Sequence, residues 1–233
     1  KYILKKYNYK YDFNLSNKLY DILESNGIKV LKPIDSLKID KDKYSIFNYV
    51  KDKQKNVNLI PFFEKYLKID RKCDFQNNFK SKMNKYIRQL EKSKDLEEIE
   101  VLKIYKKLNL KPFYEEKYFN HGDLSRSNLI INNNEIYVID FDETIVTSQL
   151  YDYAVICIKN YFKKIEEFEN IISQNLNIDK NQLRNAVKVY LCKILIEKFY
   201  YRKTKKLNLE SKLQKKDYYK KYLMLLERLD KND

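Results

Sequence analysis

Glycine is nearly absent from this chain, since only Gly27 and Gly122 occur in 233 residues. A Walker loop and the G-x-G-x-x-G turn of dinucleotide-binding folds each need two or more glycines close together, because their backbone must approach a phosphate. Neither pattern exists here. The sequence therefore excludes a P-loop NTPase and a Rossmann dehydrogenase.

Cysteine and long apolar runs are also scarce. The three cysteines (Cys73, Cys157 and Cys192) are an odd number at wide spacing, which argues against a disulfide framework or a metal site. Cys157 and Cys192 lie in apolar helical stretches and are expected to be buried, reduced thiols. No apolar run approaches the roughly 18 residues of a membrane span, and the first residues lack the features of a secretory signal. We therefore expect a cytoplasmic protein without a membrane span.

The formal net charge of +15 raises the question of a nucleic-acid partner. Only six of the 48 basic residues are arginines, and the lysines are dispersed rather than gathered into one stripe. A dispersed basic surface suits nucleotides and phosphate-bearing ligands as well as nucleic acid. We therefore do not expect nucleic acid to be the main partner.

Periodicity divides the chain into a small mixed part and a larger helical part. Residues 1–7, 28–34 and 43–50 have strand character, and a helix is predicted over about 15–25. From Pro61 onward helices are predicted around a non-helical island at 117–142; they cover 61–69, 74–93, 95–108, 149–174, 179–203 and 211–230. The expected fold class is α+β, with residues 1–50 as a nucleotide-side lobe and 51–233 as a helical lobe. A cleft between such lobes is the usual place for a nucleotide.

Residues 119–144 read FNHGDLSRSNLIINNNEIYVIDFDET. The stretches 129–131 and 136–139 are predicted strands, and Asn133-Asn134 between them is a hairpin signal. This turn pairs Asn132 with Glu135 and sets Asn128 opposite Ile139. Asn128 and Asp140 then lie at the same open end of the hairpin, on strands about 4.8 Å apart. Both side chains could reach one divalent cation.

Asp123 adds a third oxygen-bearing side chain five residues before Asn128. Two aspartates and an asparagine suit Mg²⁺, which prefers oxygen ligands. They also suit phosphoryl transfer, in which one aspartate accepts the hydroxyl proton while other groups hold the metal on the phosphates. The alternative is a polar hairpin with solvated ends. That alternative leaves the single histidine, His121, the glycine Gly122 and the IDFD run unexplained.

These motifs resemble a known family. HGDLSRSN followed by IYVIDFDE is similar to the catalytic loop and metal-binding segment of the aminoglycoside phosphotransferase and choline kinase superfamily. The IDFD ending is most similar to its spore-coat-type kinase branch. The resemblance implies a protein-kinase-like two-lobe fold, with a truncated small β-rich N-lobe and a larger, mostly helical C-lobe. It also implies a phosphotransferase that uses ATP or GTP with Mg²⁺ on a hydroxyl of a small molecule, such as a sugar, an amino alcohol or an aminoglycoside-like compound.

The resemblance also assigns roles to individual residues. It implies that Asp123 is the catalytic base, that Asn128 and Asp140 bind Mg²⁺, and that His121 buttresses the loop. Asp152, in the segment LYDYA, matches a family aspartate that ties the C-lobe to the catalytic loop.

The order of elements implies the nucleotide contacts. Lys5, on the first strand, is the expected phosphate-binding lysine, although Lys6 is adjacent and strand alternation does not separate the two. The strand 43–50 stands where the interlobe hinge is expected, with Phe47 and Tyr49 as candidate adenine contacts. Alternatively, it is one more buried strand.

The N-terminal part departs from the family pattern. The predicted helix carries only Asp21 and Glu24 as acids, and neither falls where the family's glutamate would pair with the lysine. Strands that would precede Lys5 and cover the phosphates are absent. The chain has no starting Met, which is consistent with a missing N-terminal segment; the alternative is that the cover over the phosphates is supplied in another way.

Two residues of the island have competing interpretations. Asp142 could bind metal or cap the loop, and we favour the cap because one Mg²⁺ usually takes only one or two carboxylates. Arg126 is placed to neutralise a transferring phosphoryl group, or it pairs with a surface acid.

Residues 143–233 would form the acceptor pocket. They contain 19 Lys or Arg against 12 Asp or Glu, which argues against a polycationic aminoglycoside. The tyrosines of these helices could stack a sugar or a quaternary ammonium group, but tyrosines at helical spacing more often belong to core and rim. The rival functions are a pseudokinase with a structural or scaffolding role and a basic nucleic-acid-binding module.

Overall fold

The computed structural model of the protein describes residues 1–7, 13–40, 42–53, 57–204 and 209–231, with only the backbone at 204 and 209–219. The strands are β1 (Tyr2–Tyr7), β2 (Lys29–Val30), β3 (Asp35–Ile39), β4 (Asp42–Asn48), β5 (Tyr118–Asn120), β6 (Leu129–Asn132), β7 (Glu135–Val138) and β8 (Ile145–Thr147). The helices are α1 (Phe13–Ser25), α2 (Ile60–Lys68), α3 (Phe79–Leu90), α4 (Leu96–Lys107), α5 (Lys111–Glu115), α6 (Tyr151–Asn160), α7 (Ile165–Leu176), α8 (Lys180–Thr204) and α9 (Leu209–Lys231).

A small antiparallel sheet forms the first part of the molecule. Its strand order is β1-β4-β3, so β4 is the central strand and pairs Ser45 with Lys5. Helix α1 follows β1 and buries Leu15, Leu19 and Leu23 along one stripe. The helix ends at Ser25, and the left-handed φ of +69° at Gly27 lets Ile28 N–H donate to the Leu23 carbonyl, as in a Schellman motif.

A second sheet joins the two parts of the molecule. The hairpin β6–β7 pairs antiparallel, and β2 adds in parallel along β7, with Val30 opposite Val138. Because β2 precedes residue 50 and β7 lies in the non-helical island at 117–142, the sheet fixes the first part of the molecule against this island. A third, two-stranded sheet pairs β5 with β8 and sets Asn120 opposite Ile145.

Helix α8 forms the centre of the helical part, where it packs against α3, α4, α6, α7 and α9. Its apolar residues are almost completely buried, among them Leu183, Val187, Leu191 and Leu195. Cys157 on α6 and Cys192 on α8 are buried free thiols, as expected. Among the described residues, no helix combines the length and apolar character that crossing a bilayer requires.

The predicted α+β, two-lobe architecture is confirmed, with corrections to one strand and two helices. Of the strand predicted over 28–34, only Lys29–Val30 pairs in a sheet. The helix predicted over 149–174 is two helices, because the Asn160 side chain bonds the backbone of Leu124 and Arg126 and ends α6. The helix predicted from 74 begins at Phe79. Just before it, the Asn77 amide donates to the carbonyls of Phe113 and Glu116 and so holds this segment in a non-helical path.

Candidate active site

The β6–β7 hairpin has the predicted register. Asn133 and Asn134 have left-handed φ angles of 52° and 63°, which fit the tight two-residue turn that asparagine favours. Asn132 lies opposite Glu135. At the open end, Ile139 N–H donates to the Asn128 carbonyl at 3.0 Å. Asp140 therefore directly follows the residue opposite Asn128.

Asn128 is bonded to the loop that carries Asp123. Its amide nitrogen donates to the Asp123 carbonyl at 2.7 Å and to Asp123 Oδ2 at 3.1 Å. With the nitrogen engaged in this way, Oδ1 is the atom of Asn128 that could ligate a cation. The structure thus brings Asp123 and Asn128 together, as the sequence predicts.

His121 connects the loop that carries Asp123 with the end of the hairpin before Asp140. Its Nε2 lies 2.9 Å from the Ile139 carbonyl, and its Nδ1 accepts from Asp123 N–H at 3.3 Å. This pattern fits a neutral ring with the proton on Nε2. Burial of the ring lowers the pKa of His121, against the opposing charges of Asp152, Asp123 and Asp140. The imidazole therefore links the backbone of Asp123 to that of Ile139, the residue preceding Asp140.

Asp152 fixes the start of the loop that carries Asp123. It is fully buried in the first turn of α6. Its Oδ2 accepts from His121 N–H at 2.7 Å and from the Tyr66 hydroxyl at 2.6 Å, and its Oδ1 accepts from Gly122 N–H at 2.9 Å. The predicted link between the helical part and the loop is therefore present.

Gly122 is required by both backbone geometry and space. Its φ is +84°, and a Cβ there would lie 2.0 Å from the Glu143 carbonyl oxygen. We expect Gly122→Ala to lower the free energy of unfolding by about 2–4 kcal/mol, because a left-handed conformation and a backbone clash are both imposed.

Urea unfolding checks this expectation, and Gly27→Ala is the matched control. Gly27 has a similar φ of +69°, but a Cβ there would meet only the Lys65 Nζ at 3.1 Å. Because a flexible side chain can move away, Gly27→Ala should cost about 1–2 kcal/mol. Equal losses in the two variants would contradict a packing role for Gly122.

Asp140 is directed into the site by an unusual backbone conformation. Its φ and ψ are 64° and 66°, a left-handed geometry that costs a non-glycine residue about 1–2 kcal/mol. Its Oδ1 accepts from Lys5 Nζ at 2.7 Å. Such local strain commonly accompanies functional sites.

Asp142 is also directed at Lys5, which corrects the favoured capping role. Its Oδ1 accepts from Lys5 Nζ at 2.7 Å. The loop is closed instead by Thr144, whose N–H and hydroxyl both donate to the Phe141 carbonyl. Burial raises the pKa of Asp142, and the nearby charge of Asp140 raises it further, although Lys5 opposes both effects.

Lys5 and Lys6, which alternation alone did not separate, have different partners. Lys5 bonds Asp140 and Asp142, whereas Lys6 pairs with Asp42 on the neighbouring strand. Burial would lower the pKa of Lys5, but its bonds to the two carboxylates outweigh this effect and raise it. Both lysines line the cavity beside Asp140, but Lys5 is the one that contacts Asp140 and Asp142.

The two acids of α1 are engaged away from Lys5. Asp21 and Glu24 both pair with Lys32, at 2.9 and 2.8 Å. The described residues thus contain no ion pair between Lys5 and this helix, in agreement with the departure seen in the sequence.

A cavity of about 390 Å³ opens beside Lys5 and Asp140. Apart from these two groups its wall is mostly apolar and includes Leu31, Phe47 and Ile130. Tyr49, the other candidate adenine contact, does not line this cavity. Tyr49 is 48% exposed, because β4 ends at Asn48 and the chain then leaves the sheet. Its N–H donates to the Lys1 carbonyl.

A second cavity, of about 420 Å³, opens on the other side of the loop and contains Asp123. Its remaining lining residues are Gly122, Glu143, Lys159, Tyr190, Lys193, Ile194, Glu197, Lys198, Tyr201 and Tyr222. Lys159 Nζ lies 3.2 Å from Asp123 Oδ1, and Lys193 Nζ lies 2.8 Å from Glu197 Oε2. Most carboxylates in this cavity are therefore paired with a lysine ammonium group.

Arg126 pairs with an acid, as the second of its two interpretations predicted. Its guanidinium donates to Asp52 Oδ2 at 2.9 Å and to the Leu129 carbonyl at 2.7 Å. Asp52 in turn accepts from Ile131 N–H. These bonds favour a role in fixing the 51–53 segment to the hairpin over a role in neutralising a phosphoryl group.

Sequence reasoning missed two residues of α6 that reach the site, Lys159 and Asn160. Asn160 Oδ1 accepts from Arg126 N–H at 2.7 Å, and its amide donates to the Leu124 carbonyl at 3.1 Å. Both residues lie more than 30 positions from the loop. The only available signal was the pair of polar residues that closes an otherwise apolar stretch.

The donor set fits Mg²⁺ held jointly with a phosphate. In the described part of the chain, no three His, Cys, Asp or Glu side chains form a group that could hold a metal ion alone. Mg²⁺ in nucleotide sites usually takes one or two carboxylates and completes its shell with phosphates and water. The carboxylates of Asp140 and Asp142 and the amide oxygen of Asn128 match this chemistry.

Comparison with known proteins agrees with the motif. The sequence of residues 70–182 matches the family described as phosphotransferase enzyme family (APH). This segment contains the loop, the hairpin and Asp152. A search of curated proteins found no match to the chain.

Solved structures share the fold over nearly the whole chain. Choline kinase LicA from Streptococcus pneumoniae is 13% identical with a TM-score of 0.60, covering 96% of this chain and 85% of its own. The amicoumacin kinase hAmiN, in complex with AMP-PNP, Ca²⁺ and amicoumacin, is 15% identical with a TM-score of 0.61, covering 95% and 81%. Aminoglycoside 2'-phosphotransferase-IIIa with GDP is 15% identical with a TM-score of 0.62, covering 94% and 81%.

At these identities the structural likeness establishes the protein-kinase-like fold, and the spore-coat-type branch stays a prediction. Residues 70–182, just under half of the chain, are thus similar to the phosphotransferase enzyme family, and the whole chain shares its fold with a choline kinase and an aminoglycoside phosphotransferase.

Proposed function

We propose that the protein transfers the γ-phosphoryl group of ATP or GTP to a hydroxyl of a small molecule. The observation that carries this proposal is the position of His121 between two cavities. One ring nitrogen bonds the backbone of Asp123, which lines the second cavity, and the other lies against Ile139, which lines the first cavity with Asp140. A nucleotide in the first cavity and an acceptor in the second would therefore meet at this loop.

Each residue of the site has its own role in this reaction. The acceptor hydroxyl loses its proton to the Asp123 carboxylate, while its oxygen bonds the γ-phosphorus and the bond to the nucleoside diphosphate breaks. Asn128, Asp140 and Asp142 would hold Mg²⁺, which when bound neutralises charge on the phosphates. Lys159, 3.2 Å from Asp123, would neutralise charge on the transferring phosphoryl group, the role for which Arg126 was one candidate in the sequence analysis.

The charges of the second cavity favour a hydroxyl compound that carries no more than one positive charge. Lys159, Lys193 and Lys198 face Asp123, Glu143 and Glu197 there. A polycationic aminoglycoside would need unmatched carboxylates, whereas Asp123 and Glu197 already have lysine partners. Tyr190, Tyr201 and Tyr222 add aromatic faces and hydroxyls, which suit a sugar or an amino alcohol.

Mg-ATP should raise the melting temperature of the wild-type protein. A ligand at 100 times its Kd stabilises the folded state by about 2.7 kcal/mol, which shifts the melting temperature of a chain of this size by several degrees. Differential scanning fluorimetry with Mg-ATP and Mg-GTP, followed by ADP or GDP release in an acceptor screen of sugars and amino alcohols, measures binding and transfer separately.

ATP with EDTA and Mg²⁺ alone are the controls for this experiment. Asn128→Ala should reduce the part of the shift that depends on Mg²⁺. Binding without product release across the screen would favour the pseudokinase alternative. An unchanged melting temperature with every nucleotide would contradict the proposed function.

A further inference from the structure

The ammonium group of Lys5 occupies the position between two carboxylates that a divalent cation would take. Its Nζ lies 2.7 Å from Asp140 Oδ1 and 2.7 Å from Asp142 Oδ1. The three side chains are between 27% and 45% exposed. Bulk water therefore screens their charges only in part, and the two carboxylates need a cation near them.

A second cation between these carboxylates would compete with Lys5. Oδ1 of each carboxylate already accepts a short, charge-assisted hydrogen bond, and a divalent ion bound to the same two carboxylates would repel the ammonium group. Metal binding to the protein alone therefore competes with Lys5.

A triphosphate offers Lys5 another anionic partner. Lys5 lies on the wall of the 390 Å³ cavity together with Asp140, and its backbone is fixed in β1 opposite Ser45. Because the lysine side chain is long and flexible, its ammonium can turn from the carboxylates to a phosphate while the strand stays in place.

We propose that Lys5 is an exchangeable counter-ion that holds the metal position of Asp140 and Asp142 until a nucleotide draws it away. This inference rests on the proposed function. Entry of the nucleotide would release the carboxylates for the metal, so nucleotide and metal each strengthen binding of the other, as linkage requires. The protein would thereby bind the metal–nucleotide complex in preference to free metal.

Mn²⁺ binding without nucleotide tests the first half of this proposal. Titration followed by electron paramagnetic resonance should show that Lys5→Met binds Mn²⁺ at least tenfold more tightly than the wild type. Lys5→Arg, which keeps the charge, should stay close to the wild type. Lys6→Met is the matched control, since Lys6 is the adjacent residue and pairs with Asp42 instead, and it should bind Mn²⁺ as the wild type does.

The second half is tested with AMP-PNP. The analogue itself chelates Mn²⁺, so every variant gains affinity, but the wild type should gain at least tenfold more than Lys5→Met. Equal Mn²⁺ affinities of wild type and Lys5→Met without nucleotide, with both proteins folded by circular dichroism, would overturn the proposal. If Lys5→Met binds Mn²⁺ more tightly but no variant binds AMP-PNP, the counter-ion role stands and the kinase function fails.

Discussion

Replacement of Asp123 by asparagine is expected to lower the rate of phosphoryl transfer by about 10²–10⁴-fold, the usual contribution of a positioned general base. The amide has nearly the shape of the carboxylate but cannot accept the hydroxyl proton. Asn128 and His121 contact this residue partly through its backbone, so the loop should keep its conformation. Binding of Mg-ATP should consequently change little.

The measurement is single-turnover transfer with the acceptor found in the screen, beside a Mg-ATP thermal shift. Asp74→Asn makes the same chemical change at an exposed residue and should leave both quantities unchanged. If Asp123→Asn transfers phosphate as fast as the wild type, another group takes the proton. A loss of Mg-ATP binding equal to the loss of rate would instead show that Asp123 acts on the nucleotide.

The parts of the site that sequence predicted correctly depend on local chain geometry. A two-residue turn at Asn133-Asn134 fixes the pairing of the flanking strands, so the position of Asn128 opposite Ile139 follows by counting. Likewise, the strand Tyr2–Tyr7 and the helix Phe13–Ser25 follow from short apolar patterns and from the Asn26-Gly27 stop. Each of these features is encoded within about a dozen residues.

The parts that sequence missed depend on contacts between distant segments. Lys159 and Lys5 reach the carboxylates of the island from 36 and more than 130 positions away. No spacing rule connects residues so far apart. The role of Asp142 was misjudged for the same reason, because the preference for a cap rested on the local loop and the competing partner came from β1.

Loss of the Asp152 side chain is expected to lower the free energy of unfolding by about 3–5 kcal/mol. Asp152→Ala would leave the N–H groups of His121 and Gly122 and the Tyr66 hydroxyl without their acceptor. A buried polar group that loses its partner costs about 1–3 kcal/mol, and Asp152 is fully buried. Urea unfolding at neutral pH measures the loss.

Two milder variants separate the bonds that Asp152 makes. Tyr66→Phe removes one hydrogen bond and should cost about 1 kcal/mol. Asp152→Asn keeps the size of the side chain but loses one acceptor and the charge, so its cost should lie between those of the other two. Because the bonds to His121 and Gly122 hold the backbone beside Asp123, Asp152→Asn should also slow phosphoryl transfer at temperatures where it is still folded. A cost of Asp152→Ala no greater than that of Tyr66→Phe would show that the loop is held by other contacts.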